Sequence, residues 1–178
     1  GLKKMNIITS FPKSGNTWMR FIIYDLFFNQ KQININNSFE INKFIPPIHK
    51  LNFQNKQIIL NKSLNKEIFL KTHFGFEKLK MMPIDNPFDV LISLLNYYEI
   101  NENQREEMLN YFCSKHTLPF LQKFQFPSWD QHIESWINSG KNYHIVKYSN
   151  LIDSFENEIK NLCIFLNLKI SNNKIKFI

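Results

Sequence analysis

The apolar positions of this chain switch between two periods, and the switches mark its elements. The run MNIITSF (5–11) is apolar, β-branched and closed by turn residues, which predicts a buried strand. From Asn16 the period lengthens: Trp18, Met19, Ile22, Ile23, Leu26 and Phe27 recur at helical spacing. The short runs KQIIL (56–60), EIFLKTH (67–73) and YHIVKYS (143–149) read as further strands. PFDVLISLLNYYEI (87–100) reads as a helix with Pro87 in its first turn and Asp89 just after it, both favourable there. NQREEMLNYFCSKH (103–116), SWDQHIESWINSG (128–140) and SFENEIKNLCIFLNL (154–168) complete the helices. Strands alternating with helices predict an α/β fold of three layers, a central parallel sheet covered by helices on both faces. No repeat or linker divides the sequence, so one domain over 1–178 is expected.

Composition narrows the function classes. An apolar fraction of 43% over 178 residues suffices for a packed core. The net charge of +7 suits an anionic partner, but the lysines are scattered and form no basic block, so nucleic acid is not expected as a partner. Cys113 and Cys163 make no disulfide framework, and Cys163 falls on the apolar face of its helix. No metal-ligand spacing is present. The longest apolar run, FIIYDLFF, is too short to span a bilayer and contains Asp25, and the first residues lack the apolar run of a signal peptide. A cytoplasmic protein without a membrane span is expected.

The candidate chemistry starts at SFPKSGNTW (10–18), where the predicted strand passes into the predicted helix. Such a turn aims free backbone N–H groups and the positive end of a helix dipole at one point. Gly15 permits close backbone approach, Ser14 and Thr17 offer hydroxyl donors, and Lys13 adds a point charge. Trp18 offers a ring face to a base. The lysine precedes the glycine, so this is not the G-x-x-x-x-G-K-[ST] loop of nucleotide kinases. The bland alternative is a helix cap.

FPKSGNTW resembles the Pro-Lys-Ser-Gly-Thr-Thr-Trp phosphosulfate loop of the sulfotransferases that use 3′-phosphoadenosine 5′-phosphosulfate (PAPS), with Asn16 in place of one threonine. Four more segments resemble that family in order: FLKTHF, DNPFDVLIS, FPSWDQHIESWI and HIVKYSNLIDSFENEIKNLCIFLNL. The resemblance covers about Ile7 to Leu168. It implies a P-loop-like sulfotransferase fold and transfer of a sulfonate from PAPS to a hydroxyl or amine of a small-molecule acceptor, leaving the 3′,5′-bisphosphate PAP, with no metal. It further implies catalytic roles for His73 as base, for Lys13 at the leaving phosphate, for Lys71 at the sulfonate and for Ser93 at the 3′-phosphate. Lys13, Ser14, Gly15, Asn16, Thr17, Trp18, Ser93 and Tyr148 are implied as nucleotide contacts.

Three departures stand beside the resemblance. Asp85 occupies the place of an arginine that grips the 3′-phosphate, and a carboxylate there opposes the anion. Twelve positions separate His73 from Asp85, short for a loop plus a central strand. The sequence stops at NNKIKFI, before the family's Arg-Lys-Gly segment, so the C-terminal part of the family domain is expected to be missing. The alternative is a degenerate protein of this fold that binds a nucleotide or partner without turnover. Trp129, His132 and Trp136 share one helix face and read as packing. Phe74, Phe76, Tyr97 and Tyr98 are candidates to line an acceptor pocket.

Overall fold

The computed structural model describes residues 5–28, 39–63, 67–73, 81–84, 87–114, 116–140 and 142–170. Asp85, Phe74 and Phe76 lie outside this set. Four strands, β1 (Met5–Thr9), β2 (Ile68–Thr72), β3 (Met81–Ile84) and β4 (His144–Lys147), form a sheet in the order β2-β1-β3-β4. Every pairing is parallel. The helices are α1 (Asn16–Phe27), α2 (Phe53–Lys62), α3 (Pro87–Tyr97), α4 (Glu102–Cys113), α5 (Pro119–Gln122), α6 (Trp129–Ile137), α7 (Tyr148–Asp153) and α8 (Phe155–Phe165).

The alternation of β1 builds the layers. Ile8 packs with Met19, Ile22, Ile23 and Leu26 of α1 and with Ile159 and Leu162 of α8. Its neighbour Ile7 points the other way, into a cluster with Leu60 of α2 and Trp136 of α6. A strand covered on both sides must be apolar nearly throughout, which is why MNIIT lacks polar alternation. Its one amide, Asn6, is fully buried and donates from Nδ2 to Glu67 Oε2 at 2.7 Å. Each fully buried Ile, Leu or Phe contributes about 1.5–3 kcal/mol, so the continuous stripe along α1 fixes that helix firmly against the sheet. A third cluster joins Phe11 of the loop to Val90, Leu91 and Leu94 of α3, with Leu118 and Leu121 beside them.

One reading is corrected here. KQIIL belongs to helix α2, not to a strand. The side chains of Asn52 and Asn55 cap each other's backbone N–H at 2.9 and 2.8 Å, and this reciprocal box starts a helix just ahead of the apolar run. Ile59 and Leu60 are then buried while Ile58 is 52% exposed, a helical distribution. The interval after His73 does contain a central strand, β3, held to four residues and paired along its whole length with β4. The face carrying Trp129, His132 and Trp136 is packing as read: His132 and Trp136 are buried, and Phe11 meets the His132 ring edge-on at 5.8 Å. Cys163 is likewise a core residue.

Candidate functional site

The chain passes from β1 to β2 on one side and later returns as β3 on the other side of β1. In open parallel sheets the crevice at such a switch point, beyond the carboxyl ends of the strands, is where ligands bind. Residues 10–15 leave β1 there, and His73 follows β2.

The loop is shaped for an anion. Lys13 and Gly15 adopt left-handed conformations, φ 70° and 78°, on either side of Ser14. Ser14 N–H donates to Phe11 O at 3.2 Å, which closes the turn. Gly15 starts α1 without a side-chain cap, and no acidic residue occupies the first turn. The N–H groups of that turn therefore keep their donor capacity, with the dipole unopposed. Ser14 and Asn16 are buried, yet Ser14 Oγ and both amide atoms of Asn16 lack a hydrogen-bond partner among the described residues. Leaving such groups unsatisfied costs about 1–3 kcal/mol each, so a ligand with oxygen acceptors fits the two donors, Ser14 Oγ and Asn16 Nδ2.

A cleft of about 610 Å³ opens on this loop. Lys13 and residues 15–18 form one side of it, and His73, Ser93 and Tyr148 the rest. Lys13 Nζ lies over the Tyr97 ring, 4.6 Å from its centroid. Ser93 is half-buried on α3 between buried Leu91 and Leu94. Tyr148, read as a strand residue, is the first residue of α7; its ring meets Trp18 edge-on at 5.3 Å. Trp18 also stacks with Phe155 at 6.4 Å. Lys71 does not line this cleft.

His73 is held by the loop opposite. Its Nδ1 lies 2.9 Å from Ser10 O and 3.5 Å from Ser10 Oγ. A carbonyl oxygen only accepts, so Nδ1 carries the proton and Nε2 keeps its lone pair. Burial first, then the Lys71 charge, lower the His73 pKa to about 4 against the opposing Ser10 hydrogen bond, with Arg20 adding a smaller lowering. The ring is thus neutral near pH 7, with the tautomer of a proton acceptor.

A second cavity, about 310 Å³, opens on another face of the same histidine. It is lined by Asn42, residues 47–50, Lys71, Thr72 and Phe126 besides His73. Lys71 N–H donates to Pro46 O at 2.9 Å, which ties this wall to β2. Burial, with the charges of Arg20 and Lys50, lowers the Lys71 pKa to about 8. Arg20, on the buried side of α1, joins the two cavities: Nη1 donates to Asn42 Oδ1 at 2.7 Å and Nη2 to Thr17 Oγ1 at 3.5 Å. Its own pKa is lowered by burial to about 10.

Sequence reasoning did not find this second wall. Asn42, His49, Lys50 and Phe126 come from distant segments, and no local spacing links them. Of the aromatic candidates, Tyr97 and Tyr98 do not line it. Tyr97 serves Lys13, and Tyr98 packs on Phe120 at 4.5 Å. Among the described residues no helix is long and apolar enough to cross a membrane.

A phosphate-type loop thus lies at the switch point of a parallel sheet, with a neutral histidine across from it, in a three-layer α/β protein. The chain belongs to the sulfotransferase domain family, whose sequence profile matches residues 3–178. It is 27% identical over 168 residues to human (Homo sapiens) sulfotransferase 2B1, covering 89% of this chain and 45% of that protein. The chain thus spans about half the length of this relative. Mouse sulfotransferase SULT7A1, solved with PAP, superposes with a TM-score of 0.68 at 20% identity, over 99% of this chain and 62% of the other. A retinol dehydratase solved with androsterone and inactive cofactor PAP gives 0.57 at 15% identity, covering 99% and 63%. The sulfotransferase domain from the curacin biosynthetic pathway gives 0.51 at 13% identity, covering 98% and 77%. These structures share the three-layer fold.

Proposed function

We propose that this chain transfers a sulfonate group from PAPS to a hydroxyl or amine of a small-molecule acceptor. The observation that carries this reading is the position of His73, whose ring lines both the loop cleft and the second cavity. Family membership and the PAP-bound relatives supply the identity of the anion.

In this reading the 5′-phosphosulfate lies on residues 13–18, where the unpartnered Ser14 and Asn16 groups and the first-turn N–H groups meet its oxygens. Ser93 and Tyr148 receive the nucleoside bisphosphate. The acceptor enters from the second cavity. His73 Nε2 takes the acceptor proton as its oxygen or nitrogen forms a bond to sulfur, and the bond from sulfur to the 5′-phosphate oxygen breaks. Lys13, oriented by the Tyr97 ring, neutralises the departing phosphate, while Lys71 faces the sulfonate in transit. The products are the sulfated acceptor and PAP.

Calorimetric titration with PAP, using AMP as control, tests the nucleotide half. At least tenfold tighter binding of PAP is expected, because AMP lacks the 3′-phosphate. Absence of PAP binding by a folded chain refutes the proposal. Transfer of labelled sulfonate from PAPS to a phenol or amine panel tests the other half. PAP binding without any transfer establishes the alternative, a nucleotide-binding member without turnover.

A further inference from the structure

The second cavity is not a neutral apolar pocket. Its body is apolar, formed by Pro47, Ile48 and the Phe126 ring, which stands edge-on to His73 at 6.5 Å. Its rim is basic: His49 and Lys50 close one end, and Lys71 lies beside His73. Its described lining residues include no carboxylate. Behind Asn42 lies a further cation, buried Arg20, held by that same asparagine.

These charges oppose one another. Both Arg20 and Lys50 depress the ionisation of Lys71, and Lys71 and Arg20 depress that of His73. Arg20 is buried and Lys71 half-buried while Lys50 is exposed, and an anion placed among them relieves their repulsion. The transferring sulfonate accounts for Lys71 alone. His49 and Lys50 line the second cavity and are absent from the described lining of the loop cleft. Their complement therefore belongs to the acceptor.

Resting on the reading of His73 as the base, we propose that the acceptor is itself an acid: a small molecule with one apolar ring or short chain that presents its hydroxyl or amine to His73 and a carboxylate, sulfate or phosphate to Lys50 and His49. The cavity volume is at the small end of ligand sites, which suits a compact molecule. The net charge of +7 favours the approach of such an anion.

The test compares matched pairs by NMR titration of the whole chain. The pairs are 4-hydroxybenzoate and 4-hydroxyphenylacetate against their methyl esters, followed through the His73 imidazole and Lys50 amide signals. The acids are expected to bind about two- to fivefold more tightly than the esters, the upper part of the range of one exposed ion pair. Lys50→Glu is expected to remove that preference, read as the ratio of acid to ester binding. Esters that bind as tightly as the acids, acids that shift neither signal, or a preference that survives in Lys50→Glu, each overturn the proposal. A PAP titration of the same sample separates the two readings. PAP binding with no preference for acids refutes the acidic acceptor alone. Preference for acids without PAP binding supports the anion site and refutes sulfonate transfer.

Discussion

Replacing His73 by glutamine tests the electrostatics on which the site depends. The imidazole has an ordinary pKa of 6.5 and a folded-state value of about 4, set first by burial and then by Lys71. The folded value is the lower one, so between about pH 6.5 and pH 4 the unfolded chain binds a proton that the folded chain refuses. Stability from this group is complete above the unfolded pKa, declines as pH falls through the window, and levels off below the folded pKa. At about 1.36 kcal/mol per pKa unit the whole window corresponds to roughly 3 kcal/mol, and about 2 kcal/mol once the partial exposure of the ring through its two cavities is allowed for. Glutamine retains a side-chain N–H for Ser10 O but does not titrate. Urea unfolding of both proteins at about pH 7 and about pH 4.5 should show the wild type losing some 2 kcal/mol more than the variant. Carboxylate titrations affect both chains alike and cancel in the difference. Parallel profiles, or a wild type that gains on the variant in acid, refute a buried neutral imidazole and with it the assignment of Nε2 as proton acceptor.

Gly15→Ala should cost about 1–2 kcal/mol in denaturant unfolding and weaken PAP binding, because Gly15 has φ +78° and an added Cβ would lie 3.1 Å from Tyr148 Cδ2. Tyr97→Leu should slow single-turnover sulfonate transfer about two- to fivefold with little change in stability, since it removes a partly exposed cation–π contact worth roughly 0.5–1 kcal/mol that orients Lys13; an unchanged rate would count against that role. Lys71, with its pKa lowered to about 8, should regain its proton when an anion arrives. Titrations with 4-hydroxybenzoate at about pH 8 in buffers of different ionisation enthalpy should accordingly report proton uptake by the protein, and release instead of uptake would contradict the charge crowding around Lys71.

The strand, loop and first helix were legible because burial on both faces makes β1 apolar throughout, and the period then changes sharply at Asn16. Helix α2 was misread for a reason equally physical. Five apolar-rich residues do not distinguish a strand from a helix, and the Asn52–Asn55 box that decides the matter lacks the Ser/Thr…Glu/Gln form of the familiar signal. His73 was reachable through its motif, but its tautomer depends on Ser10, sixty-three residues earlier. The second cavity was illegible for the same cause in stronger form: residues 42, 47–50, 71–73 and 126 meet only through tertiary packing. Arg20, off every motif, turned out to connect Thr17 with Asn42.

The parallel register of β1 and β2 runs for five pairs and ends with Thr9 opposite Thr72. The next residue on each strand is Ser10 on one and His73 on the other, level with each other and joined at 2.9 Å. A slip of one residue would carry the imidazole about 3.3 Å along the strand and turn it to the opposite face. The place of this histidine is therefore fixed by a backbone ladder that begins at Met5 and Ile68, so any exchange that preserves those five pairs keeps His73 level with Ser10 and leaves its Nε2 where it is.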